Sequence, residues 1–207
     1  YAVGCPSIDA LLNEKDLSRA YILNKFKIDI SKPFSITIQH PVTSELHLSE
    51  IQMKKTIVAL KKIDMQHLII FPNNDAGSKK ILKTIKKSNL KFTPTLNLSE
   101  YKTLLKYSRI LLGNSSSGIH EASTFKIPVI NIGTRQNGRM KSKNIINVYH
   151  DEDKIFKALK KGLSKSFKNY IKNVKNPYGD GNSSKKIIKI LKTINFSKFD
   201  TQKKITY

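Results

Sequence analysis

The sequence is poor in cysteine, in arginine and in long apolar stretches, and each shortage excludes a class of protein. A single cysteine, Cys5, among 207 residues excludes a disulfide scaffold and a metal site built from a cysteine cluster. No stretch approaches the roughly 20 apolar residues that a membrane span needs, so we expect no membrane partner. Nine glycines and seven prolines are too few for a collagen-like or low-complexity chain.

The first residues do not resemble a secretion signal. The sequence begins at Tyr1 rather than at a methionine, and no charged and then apolar leader follows it, so we expect no signal peptide. Together with the low cysteine content, this predicts a cytoplasmic protein.

Charge is the most unusual property of the composition. Lysine and arginine total 38 against 15 acidic residues, a net charge of +23, which would suit a protein that binds polyanions. Only four of the basic residues are arginine, the side chain best suited to reading bases and gripping phosphates. The lysines are spread over one predicted helix after another. We therefore expect solvated helix faces and no specific nucleic-acid partner, and a basic polyanion-binding module stays an alternative. The four arginines are Arg19, Arg109, Arg135 and Arg139.

From Pro33 onward, short Ile- and Val-rich segments alternate with amphipathic ones. Strands are predicted at 34–39, 67–71, 92–96, 109–112, 129–132 and 145–149. Helices are predicted at 49–62, 78–87, 99–107, 118–125, 151–170 and 183–194. This alternation predicts an α/β fold with a doubly wound, mostly parallel six-stranded, Rossmann-like sheet. Residues 1–32 are predicted to be a connector with one helix at 16–26, residues 33–194 the domain, and residues 195–207 a polar tail.

Polar loops follow the predicted strands, and ligands of open α/β sheets bind at the carboxyl ends of the strands. The loop Gly113–Gly118 joins a strand to a helix. Its small residues, the hydroxyls of Ser115 and Ser116 and the free amides of a helix start suit a phosphate or a diphosphate. An ordinary helix cap is the alternative, because serine is a preferred capping residue.

Three further side chains near this edge suit a nucleotide ligand. Glu121, about one turn into the next helix, could accept hydrogen bonds from the vicinal hydroxyls of a ribose, or could simply interact with the helix dipole. Arg135 follows another strand, four residues before Arg139, and offers a fork for phosphate oxygens unless it is a surface arginine. His40 ends the first strand and could donate to a leaving phosphate or move a proton, unless it is structural.

Other motifs in the sequence indicate no chemistry. The segment Asn73–Lys79 lacks the full spacing of a P-loop, and no G-x-G-x-x-G follows a strand, so we expect no cofactor. Cys5 has no base partner that can be placed beside it. The remaining histidines are interpreted as structural: His47, His67, His120 and His150.

Four strings in order resemble the UDP-N-acetylglucosamine 2-epimerase family, and especially its hydrolysing branch, which serves sialic and legionaminic acid synthesis. These are QHPVTSE at 39–45, FPNNDAGSK at 71–79, GNSSSGIHEA at 113–122 and PVINIGTRQNGR at 128–139. GCPSID at 4–9 and NPYGDGNSS at 176–184 also fit that branch. The resemblance extends from about Gly4 to Leu191.

The resemblance implies a glycosyltransferase-B-like architecture, in which two Rossmann-like domains hold a nucleotide sugar between them. This chain would be the nucleotide-binding C-terminal half, and the missing half would supply the acidic residues that move protons at the sugar. The full-length enzyme would be a homo-oligomer, and these residues require no metal. The implied roles are His40 near the diphosphate and leaving group, Asn73 and the backbone around Leu96 beside the nucleotide, Ser115 and Ser116 on the diphosphate, Glu121 on the ribose and Arg135 on the nucleotide.

The implied reaction is an elimination followed by a hydration, which turns UDP-N-acetylglucosamine and water into N-acetylmannosamine and UDP. The isolated chain is expected to lack turnover without the missing half. Three alternatives stay open: an epimerase acting on UDP- or GDP-diacetylbacillosamine, a glycosyltransferase of the same architecture, and the polyanion-binding module.

Overall fold

The computed structural model describes residues 1–195, and within them a single parallel sheet forms the centre of the fold. Its strand order is β3-β2-β1-β4-β5-β6, and every pairing is parallel. The strands are β1 Phe34–Ile38, β2 Gln66–Ile70, β3 Lys91–Thr93, β4 Ile110–Gly113, β5 Val129–Ile132 and β6 Ile145–Val148. The predicted fold class is confirmed. Of the predicted tail, residues 196–207 lie outside the described residues.

Helices cover both faces of the sheet. They are α1 Pro6–Asn13, α2 Arg19–Phe26, α3 Ser49–Lys61, α4 Ser78–Lys86, α5 Leu98–Tyr107, α6 Ser116–His120, α7 Glu152–Leu163, α8 Lys165–Tyr170 and α9 Ser183–Thr193. Helices α2 and α5 pack on one face, where Ile22 and Leu104 meet Ile36 of β1. Helices α3, α4 and α7 pack on the other face through separate apolar clusters. Both faces are thus buried, as a parallel sheet requires.

Several predicted element boundaries are wrong for local reasons. The first residues are not only a connector, because Pro6–Asn13 is helical and buries Ile8 and Leu11. Proline fits the first turn of a helix, where its missing N–H would have no partner in any case. The predicted helix at 16–26 begins only at Arg19, because the Ser18 hydroxyl accepts a hydrogen bond from the Tyr21 amide.

The later helices also differ from the prediction. The single helix predicted at 151–170 breaks at Ser164, whose extended backbone ends α7 and whose hydroxyl accepts from the Phe167 amide to begin α8. The helix predicted at 118–125 begins earlier, at Ser116, and gives way to a 3-10 turn at Ala122–Phe125. The strand predicted at 92–96 is shorter, at Lys91–Thr93.

The strand order reverses between β1 and β4, which are neighbours in the sheet but not in sequence. Ligands of doubly wound sheets bind in the crevice at such a switch point. Gly113 ends β4 with a φ of +118°, and a Cβ there would lie 2.0 Å from the Ile38 carbonyl oxygen. Only glycine allows the two strand ends to approach this closely, and the loops that follow them therefore start side by side.

Candidate functional site

The loops after β1 and β4 are joined by the side chain of Asn114. Its Oδ1 accepts from the His40 amide at 2.7 Å, and its Nδ2 donates to the His40 carbonyl at 2.8 Å. Asn114 is fully buried. The two hydrogen bonds fix the backbone of His40 against the loop that carries the serines, at the switch point of the sheet.

The ring of His40 is buried and electrically neutral. Its Nδ1 accepts from the Asn73 amide at 3.2 Å, so the neutral ring carries its proton on Nε2. The pKa of His40 is lowered to about 4, mainly by burial and secondly by the charge of Arg135, against an opposing effect of Asp75. At neutral pH, His40 is therefore a hydrogen-bond donor rather than a cation.

The loop after β5 is attached to the same point. Arg135 Nη1 and Gln136 Nε2 both donate to the Asn114 carbonyl, at 3.1 Å and 2.7 Å. Gln136 is buried, whereas Arg135 is exposed. A guanidinium has five N–H donors, so Arg135 keeps several for a ligand. Arg139 lies apart from this group, with Nη1 at 3.0 Å from His120 Nε2.

The serine loop lies beside Asn114. Ser115 caps α6 by accepting from the Ser117 amide at 3.3 Å, and Ser116 is the first residue of that helix. The ordinary helix cap, which was the alternative interpretation of this loop, is therefore present at Ser115. Helix α6 has only five residues, so its dipole is small. Half-buried hydroxyls and amides, rather than a helix end, make this loop suitable for phosphate oxygens.

Glu121 lies at the end of α6, not inside the first turn of a longer helix. It also precedes the short 3-10 turn at Ala122–Phe125, but its side chain caps no amide of that turn. The predicted place of Glu121 in the first turn of the helix, on which the helix-dipole alternative depended, is therefore wrong for α6. Burial raises the pKa of Glu121, while the hydroxyls of Ser117 and Tyr101 lower it. Its carboxylate is thus half-buried beside the hydroxyls of Ser117 and Tyr101.

A cavity of about 470 Å³ opens beside the switch point and includes four of the seven predicted residues, with Tyr101 in the same wall. These four are His40, Asn73, Leu96 and Ser115. The other three adjoin it: Ser116 follows Ser115, Arg135 binds the residue before Ser115, and Glu121 interacts with Tyr101. All seven predicted residues therefore lie at one edge of the sheet. Another cavity, of about 560 Å³, is lined by Arg109 and Pro128 at the opposite edge and contains none of them.

Three further residues at this edge were not predicted from the sequence: Asn114, Gln136 and Tyr101. The signal available in the sequence for Asn114 was an amide side chain inside a glycine- and serine-rich loop, and the structure buries that side chain. Of the histidines interpreted as structural, His67 fits: its ring nitrogens lie 2.7 Å from Ser35 Oγ and 3.1 Å from the Ile63 carbonyl oxygen.

Among residues 1–195, no group of three or more His, Cys, Asp or Glu side chains is placed to hold a metal ion. No helix in that part of the chain has the length and apolar character needed to cross a bilayer. Exposed lysines occur on both helical layers, for example Lys25 and Lys106 on one and Lys54 and Lys83 on the other.

The fold and the position of this polar edge define the class: Rossmann-like α/β domains with their site at the switch point of the sheet. The family model described as UDP-N-acetylglucosamine 2-epimerase matches residues 1–192, and the chain belongs to that family. The resemblance found in the sequence is confirmed.

Individual relatives show how much of such a protein the chain represents. A "UDP-N,N'-diacetylbacillosamine 2-epimerase (hydrolyzing)" of Legionella pneumophila is 33% identical over 198 residues, which cover 94% of this chain and 52% of the relative. A "GDP/UDP-N,N'-diacetylbacillosamine 2-epimerase (hydrolyzing)" of Campylobacter jejuni is 36% identical over 168 residues, covering 76% of this chain and 41% of the relative. The chain spans about half the length of the curated relatives it matches.

A solved structure shares the fold at low sequence identity. The crystal structure of UDP-GlcNAc 2-epimerase from Neisseria meningitidis bound to UDP-GlcNAc superposes with a TM-score of 0.71 at 18% identity. The match covers 93% of this chain and 55% of that chain. The solved relatives have the glycosyltransferase-B-like architecture that the resemblance implied, and the chain has the fold of about half of it.

Proposed function

We propose that this chain is the nucleotide-binding half of a hydrolysing UDP-N-acetylglucosamine 2-epimerase. The observation that carries the proposal is the hydrogen-bonded group at the switch point, where Asn114 holds both the backbone of a neutral His40 and the side chain of Arg135. Family membership and the names of the relatives support the reaction type.

Each predicted residue has a role in this proposal. The hydroxyls of Ser115 and Ser116 and the guanidinium of Arg135 donate to the diphosphate and its nucleotide. Asn73 and the backbone around Leu96 border the nucleotide. Glu121 accepts from the ribose hydroxyls.

The proposed reaction needs a base from the missing half. That base removes the proton at C2, the C1–O bond to UDP breaks with its electron pair going to the β-phosphate oxygen, and a glycal forms. Water then adds at C1 while a proton returns to the opposite face of C2, which gives N-acetylmannosamine. His40 donates from Nε2 to the departing oxygen, an electrostatic contribution for which one lost donor costs on the order of 10²–10³ in rate.

A second substrate has a specific observation in its favour. The Legionella and Campylobacter relatives, at 33% and 36% identity, are both named for diacetylbacillosamine. The 2-epimerisation chemistry would be the same, with a different sugar and, for a GDP sugar, a different base. A glycosyltransferase of the same architecture is less favoured, because the GTRQNGR string at 133–139 fits the epimerases.

The test of nucleotide binding is a calorimetric titration of UDP into the chain, up to millimolar concentration. We expect saturable binding without turnover, and weaker binding for Arg135→Ala. Arg109→Ala, at the opposite edge, is the matched control and should bind like the unmodified chain. The absence of saturable heat at millimolar UDP would overturn the site, and unchanged affinity in Arg135→Ala would remove that residue from it.

The test of the reaction uses the full-length protein that contains this chain. UDP-N-acetylglucosamine, UDP-diacetylbacillosamine and GDP-diacetylbacillosamine are compared, with the released nucleotide and the product sugar followed by NMR. Release of UDP together with N-acetylmannosamine supports the first proposal, and turnover of only a diacetylated sugar supports the second. Transfer of an intact sugar to an acceptor would overturn both.

The cellular setting of the full-length protein belongs to the same proposal. We expect a homo-oligomer in the cytoplasm that takes a nucleotide sugar as its substrate. Light scattering of the full-length protein and fractionation of cells that express it check these two expectations.

A further inference from the structure

Tyr101 places an unpartnered hydroxyl in the wall of the cavity. Its side chain lines that cavity together with His40, Leu96 and Ser115. The phenol oxygen is buried and makes no well-formed hydrogen bond within residues 1–195. A buried hydroxyl usually has an acceptor, so a neighbouring side chain that can turn to accept from it is expected.

The carboxylate of Glu121 is a suitable acceptor for the Tyr101 hydroxyl, because the two groups are neighbours. Ser117 also has a buried hydroxyl without a well-formed hydrogen bond in the described part of the chain. Both hydroxyls are close enough to lower the pKa of Glu121, against the effect of burial. Tyr101 on α5 and Ser117 on α6 are the polar groups that face this carboxylate, and neither brings a positive charge.

The helix that carries Tyr101 is held firmly. Asn97 and Glu100 form a capping box at the start of α5, with hydrogen bonds of 2.9 Å and 3.0 Å. Glu100 also accepts from the Tyr21 hydroxyl at 2.6 Å and pairs with Lys25, which ties α5 to α2. A phenol on such a helix can hold a flexible carboxylate in one orientation.

We propose that Tyr101 is a positioning residue that orients the Glu121 carboxylate and makes the site selective for a nucleotide with both ribose hydroxyls. This inference rests on the proposed function. A carboxylate has about four acceptor positions. When Tyr101 and Ser117 occupy those on one side, the positions on the other side face two neighbouring hydroxyls, and a ligand without one of them leaves an acceptor unpaired.

The experiment compares UDP with 2′-deoxy-UDP by calorimetry on the chain and on Tyr101→Phe. The matched control is Tyr107→Phe, a tyrosine on the same helix that faces away from this cavity. We expect the unmodified chain and the control to prefer UDP by about tenfold or more, the size typical of a hydrogen bond to a charged group. In Tyr101→Phe, UDP affinity falls by about tenfold and the preference shrinks to within about threefold.

A second readout separates positioning from a general structural effect. Without the phenol, the ionised form of Glu121 loses a donor, so its pKa rises further and UDP affinity begins to fall at a higher pH on acidification. The phosphate of UDP gains its proton over the same pH range with the unmodified chain and with both variants. The difference in pH midpoint between Tyr101→Phe and Tyr107→Phe therefore reports on Glu121. An upward shift of the midpoint in Tyr101→Phe alone supports the inference.

The outcomes distinguish this inference from the proposed function. If the unmodified chain does not bind UDP, the proposed function fails and the inference with it. If the chain binds UDP but Tyr101→Phe keeps both the preference and the pH midpoint, the positioning role is overturned and the proposed function stands. If Tyr101→Phe loses affinity equally for both nucleotides with no shift of midpoint, Tyr101 is only a packing residue and the inference is again overturned.

Discussion

At the scale of single residues, a neutral amide rather than a charged group holds the site together. Asn114 makes two hydrogen bonds to the backbone of His40, a residue 74 positions away in sequence. Its own carbonyl accepts from Arg135 and Gln136. One buried residue therefore aligns the loops after β1, β4 and β5: its side chain binds the first of them, and its main-chain carbonyl binds the last.

Replacing Asn114 with alanine should unfold the chain more easily. The change leaves the His40 amide and carbonyl unpaired in a buried place, and each unsatisfied group costs about 1–3 kcal/mol. We expect a loss of roughly 2–4 kcal/mol in the free energy of unfolding, measured by urea denaturation. Asn74→Ala, an exposed asparagine in the same cavity wall, is the control. If both variants lose the same free energy of unfolding, the hydrogen bonds between Asn114 and His40 do not stabilise the fold.

The buried ring of His40 should make stability depend on pH. Its pKa is about 4 in the folded chain against 6.5 for an unperturbed histidine. As the pH falls from about 6.5 to 4, the unfolded chain gains a proton that the folded site refuses, so stability declines by about 3 kcal/mol from this group. Above pH 6.5 the ring is neutral in both states and has no effect.

The measurement is urea denaturation at pH 7, 5 and 4 for the unmodified chain, His40→Asn and His47→Asn. Only His40→Asn should show a shallower decline, even if it is less stable at every pH. His47 is exposed and serves as the control for loss of a histidine. Parallel declines in all three proteins would contradict the burial of His40.

The types of residue at the site could be predicted from the sequence, but their connections could not. Glycine, serine, arginine and histidine after predicted strands indicate an anion site, because carboxyl ends of parallel strands meet at one edge. That Asn114 reaches His40 depends on β1 and β4 being neighbours, which no local pattern shows. Tyr101 lies on a different helix from Glu121, and the spacing of residues along the chain does not predict a contact between two helices.

At the scale of elements, the first and last described helices support each other. The Asp9 carboxylate on α1 accepts from the amides of Ser183 and Ser184 at 3.0 Å and 2.7 Å, at the start of α9. The hydrogen bond from the Ser184 amide is the main reason why the pKa of Asp9 falls to about 2. The helix α1 was missed in the sequence because it is short and begins at Pro6, two residues after Gly4, and both residues are typical of loops.

Asp9→Asn should loosen α9 without disturbing the sheet. A neutral amide oxygen is a weaker acceptor for two helix amides than a carboxylate, so we expect faster hydrogen exchange in residues 183–193. Protection of β1 and β4 should stay unchanged. Asp180→Asn, which breaks an exposed pair with Lys186 just before the same helix, should have a smaller effect.

Acid should reproduce the effect of that substitution in the unmodified chain. Because its pKa is lowered on folding, Asp9 stabilises the fold above about pH 3.8, and this contribution disappears as the pH falls towards 2. Equal exchange of α9 in Asp9→Asn and in the unmodified chain would mean that packing alone holds the two ends together.

At the scale of the whole molecule, the fold was predictable because its pattern repeats. Short apolar strands alternate with amphipathic helices, and only a parallel sheet covered on both faces buries all of them. Helix ends were less predictable, because single hydroxyls such as those of Ser18 and Ser164 decide them. The net charge of +23 is spread over the fold, since exposed lysines occur on both helical layers.

The same charge distribution leads to a prediction that separates nucleotide binding from polyanion binding. Lysines spread around the molecule attract any duplex DNA through counterion release, and six to ten phosphate contacts lose about 10³–10⁵ in affinity between 50 and 200 mM salt. UDP offers few charges and would be held by hydroxyls, amides and one arginine, so its affinity should fall by less than about tenfold over that range. Fluorescence anisotropy with labelled DNA and calorimetry with UDP measure the two slopes. DNA affinity that survives 200 mM salt and depends on base sequence would favour the polyanion-binding module, because scattered lysines alone specify no sequence.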